Sequence, residues 1–102
     1  MLTMQIYILQ PATERRTVSI QPGHTVSFGR RETANICCDF DASMTSMHFE
    51  VVHKGNAAEI RDLQSTSGTY VNGQHVCCVE LHNGDTILAG RTLFGVRLLE
   101  TL

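Results

Sequence analysis

The chain has 102 residues, 42% of them hydrophobic and 18% charged, which is the composition of a folded domain rather than of a disordered segment. At this length it is expected to form one domain over residues 1–102, and its formal net charge of −2 argues against a general nucleic-acid binder. Residues 1–9 lack the basic start of a signal peptide, and no apolar run approaches the roughly 20 residues of a membrane span, so we expect a cytoplasmic protein without membrane contact.

Short strand patterns follow one another along the whole chain, and no helical periodicity interrupts them. The predicted strands cover residues 4–9, 16–20, 24–28, 35–38, 49–53, 57–63, 69–71, 75–81, 85–88 and 93–99. Turn-forming residues separate these runs, and Asn72-Gly73 is a strong signal for a two-residue hairpin. Strands of this kind predict an all-β sandwich, because two sheets then cover each other's apolar faces.

The four cysteines form two adjacent pairs, Cys37-Cys38 and Cys77-Cys78. Zinc ligands are usually spaced two to four residues apart, whereas adjacent residues of a strand point to opposite faces. We therefore expect one buried and one exposed thiol in each pair; a disulfide between the pairs or a metal site is the alternative. The five histidines also lack the spacing of metal ligands, so no metal or other cofactor is expected.

Three short motifs stand in a distinctive order: Gly29-Arg30, then residues 45–48 with the sequence Thr-Ser-Met-His, then residues 65–73 with the sequence Ser-Thr-Ser-Gly-Thr-Tyr-Val-Asn-Gly. An arginine, a cluster of hydroxyl groups and turn-forming glycines are what a protein needs to hold a phosphate on loops. Together with the strand pattern, these motifs resemble the forkhead-associated (FHA) domain over nearly the whole chain. The resemblance implies a β-sandwich of about eleven short strands whose loops at one end bind phosphothreonine peptides.

The resemblance also implies which side chains contact the phosphopeptide: Arg30, Thr45, Ser46, Thr66 and Ser67. The planar guanidinium of Arg30 matches two phosphate oxygens, and Thr45 stands where the family usually has serine. Ser46 stands where family members often carry a basic or amide residue. Ser67 stands where the family has asparagine, whose amide both donates to and accepts from the ligand backbone. Because the serine side chain is shorter, we expect these hydrogen bonds to be weakened.

Five further residues are expected to support the site by the same resemblance: Gly29, His48, Gly68, Thr69 and Asn72. His48 would pin a loop through a hydrogen bond, and Gly68 would allow a sharp turn. Asn72, with the glycine that follows it, would fix the neighbouring hairpin.

The leading hypothesis is a phosphothreonine-reading signalling adaptor, not an enzyme, whose partner is a phosphothreonine-containing protein such as a Ser/Thr kinase or its substrate. An alternative is the same fold used as a scaffold that docks a partner through a sheet face without phosphate. Without the family resemblance, Arg30 would be interpreted as a surface arginine paired with Glu32 or Asp39; the resemblance reverses this preference. An enzyme with cysteine or histidine chemistry would need a thiol of low pKa, and no sequence feature indicates one. The oligomeric state stays open.

Overall fold

The computed structural model describes residues 1–101, and in this range the chain forms two β-sheets. The strands are β1 (Leu2–Gln10), β2 (Thr17–Ile20), β3 (Thr25–Gly29), β4 (Ile36–Cys37), β5 (Phe49–His53), β6 (Ala58–Asp62), β7 (Thr69–Val71), β8 (Gln74–Val76), β9 (Cys78–Leu81), β10 (Thr86–Ala89) and β11 (Thr92–Glu100). Within the described part of the chain, no helix is long and apolar enough to cross a membrane.

The strands are arranged as a sandwich of six and five strands, which we call sheet A and sheet B. Sheet A has the order β2-β1-β11-β10-β7-β8, and sheet B has the order β4-β3-β5-β6-β9. Neighbouring strands run antiparallel except β3 and β4, which are parallel. The predicted all-β sandwich is therefore confirmed, with the eleven strands that the family resemblance implied.

One predicted strand, residues 75–81, is divided between the two sheets. The first part, β8, pairs with β7 in sheet A, whereas β9 pairs with β6 in sheet B. The chain crosses between the sheets at Cys77, and the sequence has no turn residue there. The alternation changes phase at the crossing, because Val76 is half-buried in β8, whereas Val79 and Leu81 face inward in β9. The four residues 76–79 are all apolar, so the sequence pattern does not reveal this shift.

The expectation of one buried and one exposed thiol is met in part by the first cysteine pair and is wrong for the second. Cys38 is fully buried and Cys37 is half-buried, but Cys77 and Cys78 are both exposed because they lie at the crossing between the sheets. All four thiols are free. Burial raises the pKa of Cys38 to about 11, so this thiol behaves as a packing group.

Three phenylalanines from both sheets form the centre of the core. The rings of Phe28 and Phe49, from sheet B, stack with centroids 4.6 Å apart. Phe94, from sheet A, meets these two rings edge-on at 5.5 and 5.4 Å. Each ring is at most 1% exposed, so these contacts hold the sheets together where β3, β5 and β11 face one another.

The loops that follow β1, β3, β4, β6 and β10 gather at one end of the sandwich, which we call the loop end. The register of β1 against β11 pairs Leu2 with Glu100 and Gln10 with Leu93. Residues 1 and 101 therefore lie at the opposite end, where the Met1 amino group donates to the Thr101 carbonyl over 2.6 Å.

A buried histidine ties the sheets together at the opposite end. His53, the last residue of β5, accepts the Gly55 N–H at Nδ1 over 3.0 Å. Its Nε2 therefore carries the proton and donates to the carbonyl of Leu2 in sheet A over 2.8 Å. Both ring nitrogens of this buried imidazole therefore have hydrogen-bond partners inside the protein.

The predicted hairpin at Asn72-Gly73 joins β7 to β8. Both residues have positive φ, 51° and 83°, as a two-residue turn of this type requires. The Asn72 side chain also donates to the Asp85 carboxylate over 2.9 Å and accepts the Thr86 N–H over 3.0 Å. Asn72 thus connects the hairpin to the start of β10, far from the loop end.

Candidate functional site

Backbone pairing brings the first two sequence motifs together at the loop end. The N–H groups of Arg30 and Arg31 donate to the carbonyls of Thr45 and Ser46, each over 3.1 Å. This approach requires glycine at position 29, because a Cβ atom there would lie 2.0 Å from the Ser46 carbonyl oxygen. Gly29 therefore allows the β4–β5 loop to lie directly against the end of β3.

The Arg30 side chain is exposed and anchored at one point. Its Nε donates to the Met44 carbonyl over 3.0 Å. No carboxylate of residues 1–101 lies within 4.0 Å of its guanidinium, so the ion pair with Glu32 or Asp39 considered from the sequence is absent there. The anchoring bond fixes the side chain beside Thr45 while its terminal nitrogens remain available as donors.

The Thr45 hydroxyl connects the second motif to the third. Its oxygen accepts the backbone N–H of Thr66 over 2.9 Å. Because that bond uses a lone pair, the hydroxyl hydrogen is left to donate to a ligand. Ser67 approaches the same loop through a long contact, 3.5 Å from its hydroxyl to the Ser43 carbonyl.

A second buried histidine joins the same two loops. His48 is fully buried, and its Nδ1 accepts the Thr45 N–H over 3.0 Å. The proton therefore resides on Nε2, which donates to the Gly68 carbonyl over 2.8 Å. We call this pair of bonds the His48 clasp, because it sets the spacing between the β4–β5 and β6–β7 loops.

The carboxylate of Asp62, at the end of β6, stabilises the β6–β7 loop. Its carboxylate accepts the hydroxyls of Ser65 and Thr69 and the Ser65 N–H. Burial by itself would raise the pKa of Asp62, but the hydrogen bonds from Ser65 and Thr69 outweigh it and lower the pKa. Thr69 is fully buried, so its role is to hold Asp62 rather than to meet a ligand.

Asp41 supports the β4–β5 loop in a similar way. Its carboxylate accepts the Ser43 N–H over 2.9 Å, the Arg91 N–H over 2.8 Å and the Thr92 hydroxyl over 2.6 Å. Burial would raise the pKa of Asp41, but these three donors lower it below its usual value. Gly90 makes room for the carboxylate, since a Cβ atom there would lie 2.8 Å from Asp41 Oδ2.

The structure gathers nine of the ten residues singled out in the sequence at the loop end. Those that reach the surface or are half-buried are Arg30, Thr45, Ser46, Thr66 and Ser67. Those buried beneath them are Gly29, His48, Gly68 and Thr69. Gly68 has a φ of +87°, and a Cβ there would lie 2.9 Å from the His75 ring. Asn72 is the exception, because it lies at the other end of β7.

Sequence reasoning did not find Asp41, Asp62 or His75. Asp62 lies three residues before Ser65, a spacing typical of a carboxylate that accepts bonds from the following turn, and this signal was available. Asp41 has a local partner in the Ser43 N–H, but its bonds to Arg91 and Thr92, 50 and 51 residues away, leave no local signal. His75 packs on Gly68 across a strand pair and leaves none either.

A family model for the FHA domain matches residues 26–90, which is more than half of the chain and contains all three motifs. The chain belongs to the FHA domain family.

Individual relatives agree with this assignment. The ABC transporter ATP-binding/permease protein Rv1747 of Mycobacterium tuberculosis is 34% identical over 88 residues, which cover 86% of this chain but only 10% of that protein. An FHA domain solved in work on phosphothreonine-dependent FHA domain interactions has 28% identity and a TM-score of 0.86, covering 98% of this chain and 99% of its own. The FHA domain of FhaA, solved in complex with the intracellular domain of Rv3910, has 29% identity and a TM-score of 0.82, covering 92% and 99%.

Replacing the two buried histidines separately tests the His48 clasp. His48→Ala and His53→Ala each leave buried backbone groups without a partner and create a cavity, so each should lower the free energy of unfolding by about 2–4 kcal/mol. Only His48→Ala should also loosen the loop end. Amide hydrogen exchange at Thr45 and Thr66 measures this after correction for global stability. An equal increase of the exchange rate at Thr45 and Thr66 in both variants would contradict a local role for His48.

Proposed function

We propose that this FHA domain is an interaction module that binds phosphothreonine in a partner protein. The observation that carries the proposal is the pairing of Arg30 with Thr45. The guanidinium is held by the Met44 carbonyl over 3.0 Å, and the neighbouring Thr45 oxygen is already occupied by the Thr66 N–H over 2.9 Å. Two hydrogen-bond donors, one charged and one neutral, are thus available side by side.

A phosphate group suits these donors better than a neutral ligand does. It carries a charge of about −1.5 to −2 and three acceptor oxygens. A hydrogen bond to a charged group contributes about 1.5–3 kcal/mol, and the planar fork of an arginine can hold two oxygens at once. Arg30 and Thr45 would therefore supply most of the affinity for the phosphate.

Arginines give the loop end a local positive charge, although the chain as a whole has a net charge of −2. Arg16, Arg30, Arg31 and Arg91 belong to loops at this end, and within residues 1–101 no carboxylate lies within 4.0 Å of their side chains. Lys54 and Arg61, by contrast, pair with Glu59 on the surface of sheet B. Unpaired arginines near the site favour an anionic ligand.

The remaining residues would contact the ligand around the phosphate. Ser46 adds no charge, but Arg31 is exposed and its N–H bonds the Ser46 carbonyl over 3.1 Å, so a second cation lies close by. Thr66 and Ser67 are exposed on the facing loop, where they would meet the ligand backbone. A threonine preference would come from a small space for its methyl group, as in the family that this chain belongs to.

The solved relatives support a protein ligand. One was studied for phosphothreonine-dependent interactions, and FhaA was solved with the intracellular domain of another protein. By analogy, the partner of this chain would be a Ser/Thr kinase or a kinase substrate. Phosphorylation would then switch the interaction on, without catalysis by this domain.

Arginine replacement tests the proposal directly. A phosphothreonine peptide selected from a library should bind with micromolar affinity, and Arg30→Ala should weaken it at least about 100-fold, because a charged donor pair is lost. Arg97→Ala is the matched control, since Arg97 lies on the outer face of sheet A with its guanidinium 5.3 Å from the Tyr7 ring. Isothermal titration calorimetry at two salt concentrations provides the measurement.

Phosphoserine and unphosphorylated versions of the same peptide complete the comparison. Binding should weaken for phosphoserine, disappear without phosphate and fall as salt rises. Equal affinity for all three peptides would instead favour the alternative hypothesis, a scaffold that docks its partner without phosphate.

Restoring the family's asparagine tests the position of Ser67. Ser67→Asn adds an amide that can both donate to and accept from the ligand backbone, so phosphopeptide affinity should rise about tenfold. Ser19→Asn, at an exposed position of strand β2, is the control for a general effect of the amide. An unchanged or lower affinity of the Ser67 variant would show that the ligand backbone does not pass this residue.

A further inference from the structure

Two adjacent cysteines, Cys77 and Cys78, lie exposed on the surface where the chain passes from sheet A to sheet B. Cysteine is among the residue types most often buried, so a neighbouring pair of exposed free thiols is unusual. The change of phase at the crossing explains the exposure. Val76 in β8 and Val79 in β9 both pack against the core, which leaves the two residues between them outside.

The backbone at the crossing has room to move. The chain bends at Cys77, between the last strand of sheet A, β8, and the last strand of sheet B, β9. Each of these short strands is hydrogen-bonded to one neighbour, and segments with few such bonds open at low cost in free energy. The two thiols can therefore approach each other through a local movement, whereas neighbouring side chains inside a regular strand stay on opposite faces.

The surroundings of the two thiols differ. Cys78 lies opposite Arg61 of β6, and a hydrogen bond to the Glu59 carboxylate raises the pKa of the Cys78 thiol. The thiolate is the form of cysteine that attacks an oxidant, so Cys77 should react first and Cys78 second. Cys38 does not compete, because it is fully buried and burial raises its pKa to about 11.

The backbone of Cys77 also supports a loop of the candidate site. Its carbonyl accepts the Asp62 N–H over 2.8 Å, and the Asp62 carboxylate in turn accepts the Ser65 hydroxyl. In the same loop, the Thr66 N–H donates to the Thr45 hydroxyl over 2.9 Å. A movement of the Cys77 backbone would therefore take a hydrogen-bond partner from Asp62 and loosen the β6–β7 loop.

We propose that Cys77 and Cys78 form an oxidation site, at which hydrogen peroxide joins the two sulfurs in a disulfide and thereby weakens ligand binding at the loop end. The effect on binding rests on the proposed function, whereas the disulfide itself does not. Neighbouring Cα atoms are about 3.8 Å apart, closer than in ordinary disulfides, so the backbone has to move when the bond forms. Strained and exposed disulfides are readily reduced, as a reversible regulatory bond must be.

The reaction consumes one hydrogen peroxide for the two thiols. The Cys77 thiolate attacks a peroxide oxygen, the O–O bond breaks, and the released hydroxide takes up a proton to form water. The sulfur of Cys78 then attacks the sulfenic acid on Cys77, and the hydroxyl group leaves with the Cys78 proton as a second water. The two sulfurs are oxidised and the two peroxide oxygens are reduced.

The test treats the protein with hydrogen peroxide and measures its mass and its affinity for a phosphothreonine peptide. The mass should show the loss of two hydrogen atoms, and peptide mapping should place the new bond between residues 77 and 78. Affinity should fall about tenfold, because the β6–β7 loop loses the support of the Cys77 carbonyl. Dithiothreitol should restore both the mass and the affinity.

Cys78→Ser is the matched control, because it keeps a hydroxyl donor beside Glu59 but cannot form the disulfide. Its affinity should equal that of the reduced protein, before and after peroxide. A disulfide between two copies of the chain, oxidation without any disulfide, or a mapped disulfide that leaves the affinity unchanged would overturn the inference while phosphothreonine binding still stands. Failure of the reduced protein to bind any phosphothreonine peptide would overturn the proposed function and, with it, the effect of oxidation on binding.

Discussion

A single buried imidazole joins the two loops on which the candidate site is built. Loops lack the regular hydrogen bonds of a sheet, so their buried backbone groups need other partners. His48 supplies two of them, to the Thr45 N–H and the Gly68 carbonyl, and it can do so only as the neutral tautomer with the proton on Nε2. The spacing between the Arg30–Thr45 side and the Thr66–Ser67 side of the site depends on this ring, together with the bond from the Thr66 N–H to the Thr45 hydroxyl.

The buried carboxylate of Asp41, the half-buried carboxylate of Asp62 and a glycine also hold these loops in place. Asp62 fixes the β6–β7 loop through Ser65 and Thr69, and Asp41 fixes the β4–β5 loop to the β10–β11 turn. Gly29 lacks the side chain that would keep the β4–β5 loop from the end of β3. The exposed residues of the site therefore stand on a buried, fully hydrogen-bonded layer, which keeps the donors pre-organised and lowers the entropic cost of binding.

The sequence predicted most of the strands because alternation and turn residues are local signals, and the family motifs identified the loops that converge. Features that depend on distant pairing were missed or wrong. The 75–81 segment divides between two sheets at Cys77, and the apolar run at residues 76–79 conceals the change of phase there. Asp41 bonds a turn 50 residues away, and Asn72, expected to support the site, instead joins its hairpin to Thr86. Local patterns carry no information about such partners.

The most direct test of the central claim is a ¹⁵N-detected amide titration of the protein with one phosphothreonine peptide and with its unphosphorylated form. The phosphopeptide alone should shift the amide signals of Arg30, Thr45 and Thr66, while the signals of strand β10 on the sheet face stay unchanged. Shifts that concentrate on a sheet face, or that are the same with and without phosphate, would contradict the claim.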